Sequence, residues 1–201
     1  MQQPVSKPYA ESCEQNRHAI LAVIKGPLAG SHGVLEIGSG TGQHAVAFAA
    51  EMPHLIWHTS DRVENHPGIR LWLAESGLEN VRPPLSLDVA GEKWPEIDID
   101  AVFSANTAHI MHWHEVAAMF MGIGRLLSEG GDFLLYGPFN YGHRYTSDSN
   151  AAFDQWLKQR DPHSGIRNFE DLDELARQAG MVLQKDYAMP ANNRILHWQR
   201  Q

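Results

Sequence analysis

The stretch Val34-Leu35-Glu36-Ile37-Gly38-Ser39-Gly40-Thr41-Gly42 decides how the rest of this chain is read. Its first four residues have strand character, and three glycines follow at alternate positions. A helix-forming run, Gln43-His44-Ala45-Val46-Ala47-Phe48-Ala49-Ala50, comes directly after. The reading is a strand, a tight turn and a helix start. Glycine tolerates positive φ and lets a ligand approach the main chain, while the first amides of a helix lack internal partners and point outward. Such a spot binds a polar small molecule.

Glycine spacing separates two ligands. A dinucleotide turn takes G-x-G-x-x-G, which from Gly38 puts the third glycine where this chain has Gln43. The pattern present is Glu36-x-Gly38-x-Gly40-x-Gly42, with an acid two residues before the first glycine. An acid at the mouth repels phosphate and attracts cations, so it suits a ligand bearing an ammonium and a sulfonium. This pattern resembles the first motif of class I S-adenosylmethionine-dependent methyltransferases.

On the N-terminal side, residues 1–10 are expected to form a loose arm. The run from Glu11 to Ile24 carries Ile20, Val23 and Ile24 at helical spacing and stops at Gly26-Pro27. Asn16 and Arg17, near its start, are candidates to meet a ligand carboxylate. On the other side, residues 55–61 read as a second strand ending in Asp61, where an acid accepts hydrogen bonds from ribose hydroxyls in nucleoside-binding α/β folds. A helix over 67–76 follows. Residues 81–89 form a third strand, confined to an edge or an irregular entry by Pro83 and Pro84 and ended by Asp88, which is placed to meet an adenine amino group.

Residues 97–106 read as a buried fourth strand ending at Asn106, then a helix from Glu115 to Leu127, then a fifth strand over 132–139. Alternating strands and helices imply a mostly parallel sheet with helices on both faces. The regularity lapses at 140–168, a polar, lid-like insertion with one helical piece at 150–158. A helix over 170–179 and strands over 181–185 and 194–199 close the chain. No domain linker interrupts it, so 1–201 reads as one domain, with an arm and helix over 1–32.

Composition bounds the function. With 43% apolar residues among 201, the chain can bury one substantial core, and its formal charge of −8 disfavours bulk nucleic acid. No run approaches a membrane span, and the polar N-terminus carries no apolar signal region. The single Cys13 forms no internal disulfide, which fits a reducing cytosol. His109, His112 and His114 invite a metal, but three imidazoles on one short segment need not converge and no partner ligand pattern accompanies them. No metal is expected.

The order of elements, the glycine turn, Asp61, Asp88 and Asn106 together resemble a class I methyltransferase over nearly the whole chain, with a Rossmann-like, seven-stranded sheet. More narrowly, Gln15-Asn16-Arg17, Leu35 to His44, Ser60-Asp61, Ala105 to Ile110, Tyr136-Gly137-Pro138-Phe139, Ser149 to Asp154, Gly165-Ile166-Arg167 and Met189 to Asn193 resemble a small methyltransferase-like family of unknown function. The resemblance implies S-adenosylmethionine as cofactor, held by Glu36, Gly38, Ser39, Gly40, Gly42, Asp61, Asp88 and Asn106. It implies His109 and Tyr136 as catalytic candidates, and Asn16, Arg17, Trp113, Asn150, Asp154, Arg167 and Asn192 around a small-molecule acceptor. The expected protein is a cytoplasmic methyltransferase, monomeric or a homodimer. Its rival keeps the fold and binds S-adenosylmethionine, S-adenosylhomocysteine or a protein partner without catalysis, and a nicotinamide oxidoreductase ranks third because of Gln43.

Overall fold

The computed structural model describes residues 6–201. Its main sheet contains β1 (Gly33–Ile37), β2 (Ile56–Asp61), β3 (Val81–Ser86), β4 (Ala101–Ala105), β5 (Asp132–Gly137), β8 (Met181–Ala188) and β9 (Arg194–Arg200). The strand order is β3-β2-β1-β4-β5-β9-β8. The first five are parallel, and β9 runs antiparallel to both of its neighbours. Strand order reverses between β1 and β4, the crevice where open α/β sheets bind ligands. The expected seven-stranded, mostly parallel sheet is therefore present.

Side chains on successive strand residues leave opposite faces, which builds two cores. Leu35, Val102, Phe133 and Leu135 pack with residues of α4 (Trp113–Leu126) and α6 (Phe169–Gln178). Val34, Phe103, Leu134 and Tyr136 pack on the other face with residues of α1 (Glu11–Ile24) and α2 (Gln43–Glu51). The proline-bearing β3 lies at an edge of the sheet, and α3 (His66–Ser76) carries the chain to it from β2.

Several boundaries differ from expectation, each for a local reason. Strand β4 begins at Ala101, because the Asp100 carboxylate accepts from the His32 and Gly33 amides at 3.0 and 3.1 Å and turns the chain before it can pair. Strand β3 stops at Ser86, and Asp88 sits in a turn where its Oδ1 accepts from the Ala90 amide at 3.1 Å. Pro138 interrupts the fifth strand. Beyond it β6 (Phe139–Asn140) leaves the sheet and pairs in parallel with β7 (Arg167–Asn168), enclosing α5 (Asp148–Arg160).

Residues 6–10 are not loose; residues 1–5 of the expected arm lie outside the described residues. Trp72 Nε1 donates to the Pro8 carbonyl at 2.7 Å, and Lys7 Nζ lies 3.5 Å from the Trp72 ring centroid and 2.6 Å from Glu75. The Ala10 amide donates to Gln43 Oε1 at 2.6 Å. These contacts seat the segment against the start of α2 and along α3.

Candidate functional site

Glycines and carboxylates meet at the carboxyl ends of β1, β2 and β4. A cavity of about 780 Å³ opens there, lined among others by Gly38, Ser39, Gly40, Asp61, Asp88 and Asn106. Gly38 has φ +75°, and a Cβ on it would lie 2.5 Å from Thr107 Cγ2. Gly40 has φ +57° and nothing within 4 Å of where its Cβ would stand, so its bare backbone faces open space. That is a cradle a side chain would fill.

Asp61 braces this turn. Its Oδ2 accepts from the Gly40 amide at 2.7 Å, while Oδ1 accepts from the Arg62 amide and Asn65 Nδ2, both at 2.8 Å. Three donors leave about one of a carboxylate's roughly four lone-pair sites free. Asp61, Glu64, Asp88 and Glu115 line the cavity, against one arginine or lysine among the described lining residues, Arg62, which is paired to Glu115 at 2.5 Å. The wall is acidic and favours a cation.

Glu36 lies beneath the turn, not at its mouth. It is 2% exposed, and its Oε2 accepts from Ser39 Oγ at 2.9 Å and Trp57 Nε1 at 3.2 Å. Burial pushes its pKa up to about 7, against the opposing pull of those two donors. Glu36 therefore takes up a proton on folding, and the stability present below pH about 4.5 is lost as the pH rises to about 7; the difference is about 3 kcal/mol. Replacing Glu36 by glutamine is expected to raise the melting temperature relative to the parent at pH 8 and to change it little at pH 4.5. A constant difference across that range would contradict the assignment.

Neither Tyr136 nor His109 lines this cavity. Tyr136 is 4% exposed within the core beneath α1 and α2, its pKa raised by burial against a hydrogen bond to Asn16. Asn16 Oδ1 also lies 2.7 Å from His44 Nε2. His44 lines the cavity, so Asn16 stands directly behind its wall. His109 is 7% exposed, its ring 5.3 Å edge-on to Phe153. Burial, then the Arg167 charge, pushes its pKa down to about 4, so the imidazole is neutral at pH 7.

Four of the residues expected around the acceptor, Asn150, Asp154, Arg167 and Asn192, take part in bracing contacts. Four successive carbonyls after β4 accept from one segment of the insertion. Arg167 Nε donates to Ala108 O at 3.0 Å, the Gly165 amide to His109 O at 2.8 Å, Ser164 Oγ to Ile110 O at 3.0 Å, and Arg167 Nη2 to Met111 O. Asp154 anchors that segment, its Oδ1 accepting from the Ile166 amide at 2.7 Å. Asn150 Nδ2 donates to Asn192 O at 3.3 Å, tying α5 to the β8–β9 corner. Trp113 is 42% exposed beside Arg167, and Arg17 pairs with Glu14 at 2.6 Å. None of these seven candidates lines the cavity.

Sequence reasoning passed over His44, Thr107, Asn65 and the Ser6–Ala10 segment, all of which line the cavity in whole or part. A signal existed for one: Gln43-His44 are polar and buried at the head of an alanine-rich helix. His112, His114 and His163 do cluster, with His112 Nε2 2.7 Å from Asp161 Oδ2. Among the described residues, however, no group of His, Cys, Asp or Glu is arranged to hold a metal ion.

A family model described as "Protein of unknown function (DUF938)" matches residues 7–200. Solved structures with the same fold include the S-adenosylmethionine-dependent methyltransferase SibL in its apo form, 25% identical, with a TM-score of 0.80 over 94% of this chain and 55% of that one. An O-methyltransferase family protein from Burkholderia thailandensis is 16% identical, with a TM-score of 0.82 over 95% of this chain and 58% of that one. Human N-acetylserotonin methyltransferase in complex with SAM is 16% identical, with a TM-score of 0.76 over 94% and 53%. The present chain spans about half the length of these structures. The fold is that of the class I methyltransferases.

Proposed function

The chain belongs to the family described as protein of unknown function (DUF938), and from that premise we propose that it is an S-adenosylmethionine-dependent methyltransferase of a small molecule. One observation carries the reading: a glycine-cradled cavity at the strand-order reversal has an acidic wall on which, among the described residues, the one lining arginine is already paired. A ligand with an ammonium and a sulfonium suits that wall, and a pyrophosphate does not. The residues present fit the cofactor. Gly38, Ser39 and Gly40 would hold it along the backbone, Asp61 would meet its ribose through the free lone pair, and Asp88 and Asn106 would flank it. Glu36 and Gly42 would act from below by shaping the turn.

When bound, the cofactor supplies a methyl group on a positive sulfur, open to in-line attack, so placing the acceptor is the protein's main task. His109 is the candidate base. Its imidazole is neutral at pH 7 because burial and the Arg167 charge disfavour the charged form. A pKa near 4 suits a proton that leaves during transfer, as from a hydroxyl, better than one removed beforehand from an ammonium. Arg167, Asp154, Asn150 and Asn192 serve the acceptor indirectly, by fixing the loop that carries His109. Asn16, Arg17, Trp113 and Tyr136 remain candidates for the acceptor's surroundings.

Transfer of label from methyl-labelled S-adenosylmethionine into a fractionated small-molecule extract tests the reading. His109→Asn is expected to lower that transfer about a hundredfold or more while S-adenosylhomocysteine affinity changes less than about twofold. Unchanged transfer would remove His109 from the chemistry. The non-catalytic alternative also has an observation behind it, since His109 and Tyr136 both lie outside the cavity lining. It predicts binding of either cofactor form with no label transferred. We place the protein, as a single domain, monomeric or homodimeric, in the cytosol on the strength of its lone cysteine; no helix among the described residues is long and apolar enough to cross a membrane.

A further inference from the structure

Three facts about residues 6–10 belong together. Ser6, Pro8 and Ala10 line the cavity on the side facing the start of α3. The segment is held on both sides of the opening, at α3 by the Trp72–Pro8 and Lys7–Glu75 contacts and at α2 by the Ala10–Gln43 contact. Its docking depends on a bare backbone, because a Cβ on Gly68 would lie 2.5 Å from Pro8 Cγ and 3.1 Å from Pro8 Cδ. A proline ring cannot swing aside as a flexible side chain does, so the contact is relieved only by moving the segment.

We propose that residues 6–10 are a strap forming one wall of the ligand site, past which ligand enters and leaves, with the Pro8–Gly68 contact setting how often it opens. The inference rests on the cavity being a ligand site; the cofactor reading enters only through one probe. Polar contacts at each end and a proline in the middle make a stiff segment with two detachable anchors. Such a wall slows exchange without adding a group to the chemistry. The chain also carries its own reporter. Cys13 is the only cysteine, it lines the cavity three residues beyond the strap, and burial pushes its thiol up to about 11.

The experiment uses the full chain and its Gly68→Ala and Trp72→Phe variants. Alanine is the better helix former, so Gly68→Ala keeps α3 while evicting Pro8. Phenylalanine at 72 keeps a ring under Lys7 but removes the donor to Pro8, and Trp72 itself does not line the cavity. Alkylation of Cys13 by N-ethylmaleimide at pH 8 is expected to speed up at least about fivefold in Gly68→Ala, and less in Trp72→Phe. Hydrogen exchange of the Ala10 amide should accelerate in step. Faster Ala10 exchange with unchanged alkylation would overturn the proposal, and so would unchanged exchange in both variants. S-adenosylhomocysteine added to the parent protein is expected to slow the alkylation. If it gives no protection while the variants still react faster, the cofactor reading fails and the strap stands.

Discussion

Asp61→Ala is expected to weaken S-adenosylhomocysteine binding about a hundredfold, a loss of about 2.7 kcal/mol. Two effects combine. A hydrogen bond from a ligand hydroxyl to a carboxylate contributes about 1.5–3 kcal/mol and disappears with the side chain. The Gly40 amide also loses its acceptor at 2.7 Å, so the turn is no longer held in its positive-φ form by a charge. The fold itself should tolerate the change, because Asp61 is half-buried and its remaining donors, the Arg62 amide and Asn65, can turn to water. Calorimetric titration checks the first statement and thermal unfolding the second. Affinity within a factor of three of the parent would remove Asp61 from the ligand site.

The largest effect on stability is expected at Asp154. Its side chain is 2% exposed, yet its two oxygens accept from the Ile166 amide, Tyr145 Oη and Lys158 Nζ at 2.7, 2.6 and 2.6 Å. Alanine would leave the buried Ile166 amide without an acceptor and remove the hydrogen bonds from Tyr145 and from Lys158, which is itself about half exposed, at about 3 kcal/mol in all. The damage should be local before it is global. Residues 164–167 lose their anchor and release the four carbonyls from Ala108 to Met111, so amide exchange at Gly165 and Ile166 rises while that of β1 and β4 stays slow. Uniform acceleration across the sheet, or none at the insertion, would show that Asp154 is not the anchor.

Much of the fold was legible because the sheet is a repeated physical pattern. Apolar runs such as Val34–Ile37 and Ala101–Ala105 are buried on both faces, and the glycine turn announces the crevice above them. The cavity residues followed from the same logic, since Asp61 and Asn106 end strands that must converge there. Illegible parts depended on single long-range contacts. Asp100 caps two amides 67 and 68 residues away, and nothing near it in sequence signals that. Polar residues in the insertion looked like acceptor ligands because Asn150, Asp154 and Arg167 have the right chemistry. In the structure their groups also bond to the backbone and to Thr146, Tyr145 and Lys158, contacts that only the packing reveals. Likewise residues 6–10, in a polar stretch, read as loose until Gly68 and Trp72 supply their seat.

The central claim is that the acidic, glycine-cradled cavity receives S-adenosylmethionine. Titration calorimetry of the purified chain with S-adenosylmethionine, S-adenosylhomocysteine and NAD, each in turn, tests it most directly. The account predicts saturable, one-to-one binding of the first two and none of the dinucleotide, whose phosphates meet Asp61, Asp88, Glu64 and Glu115 with only a paired arginine to offset them. Binding of NAD, or of none of the three, would contradict it.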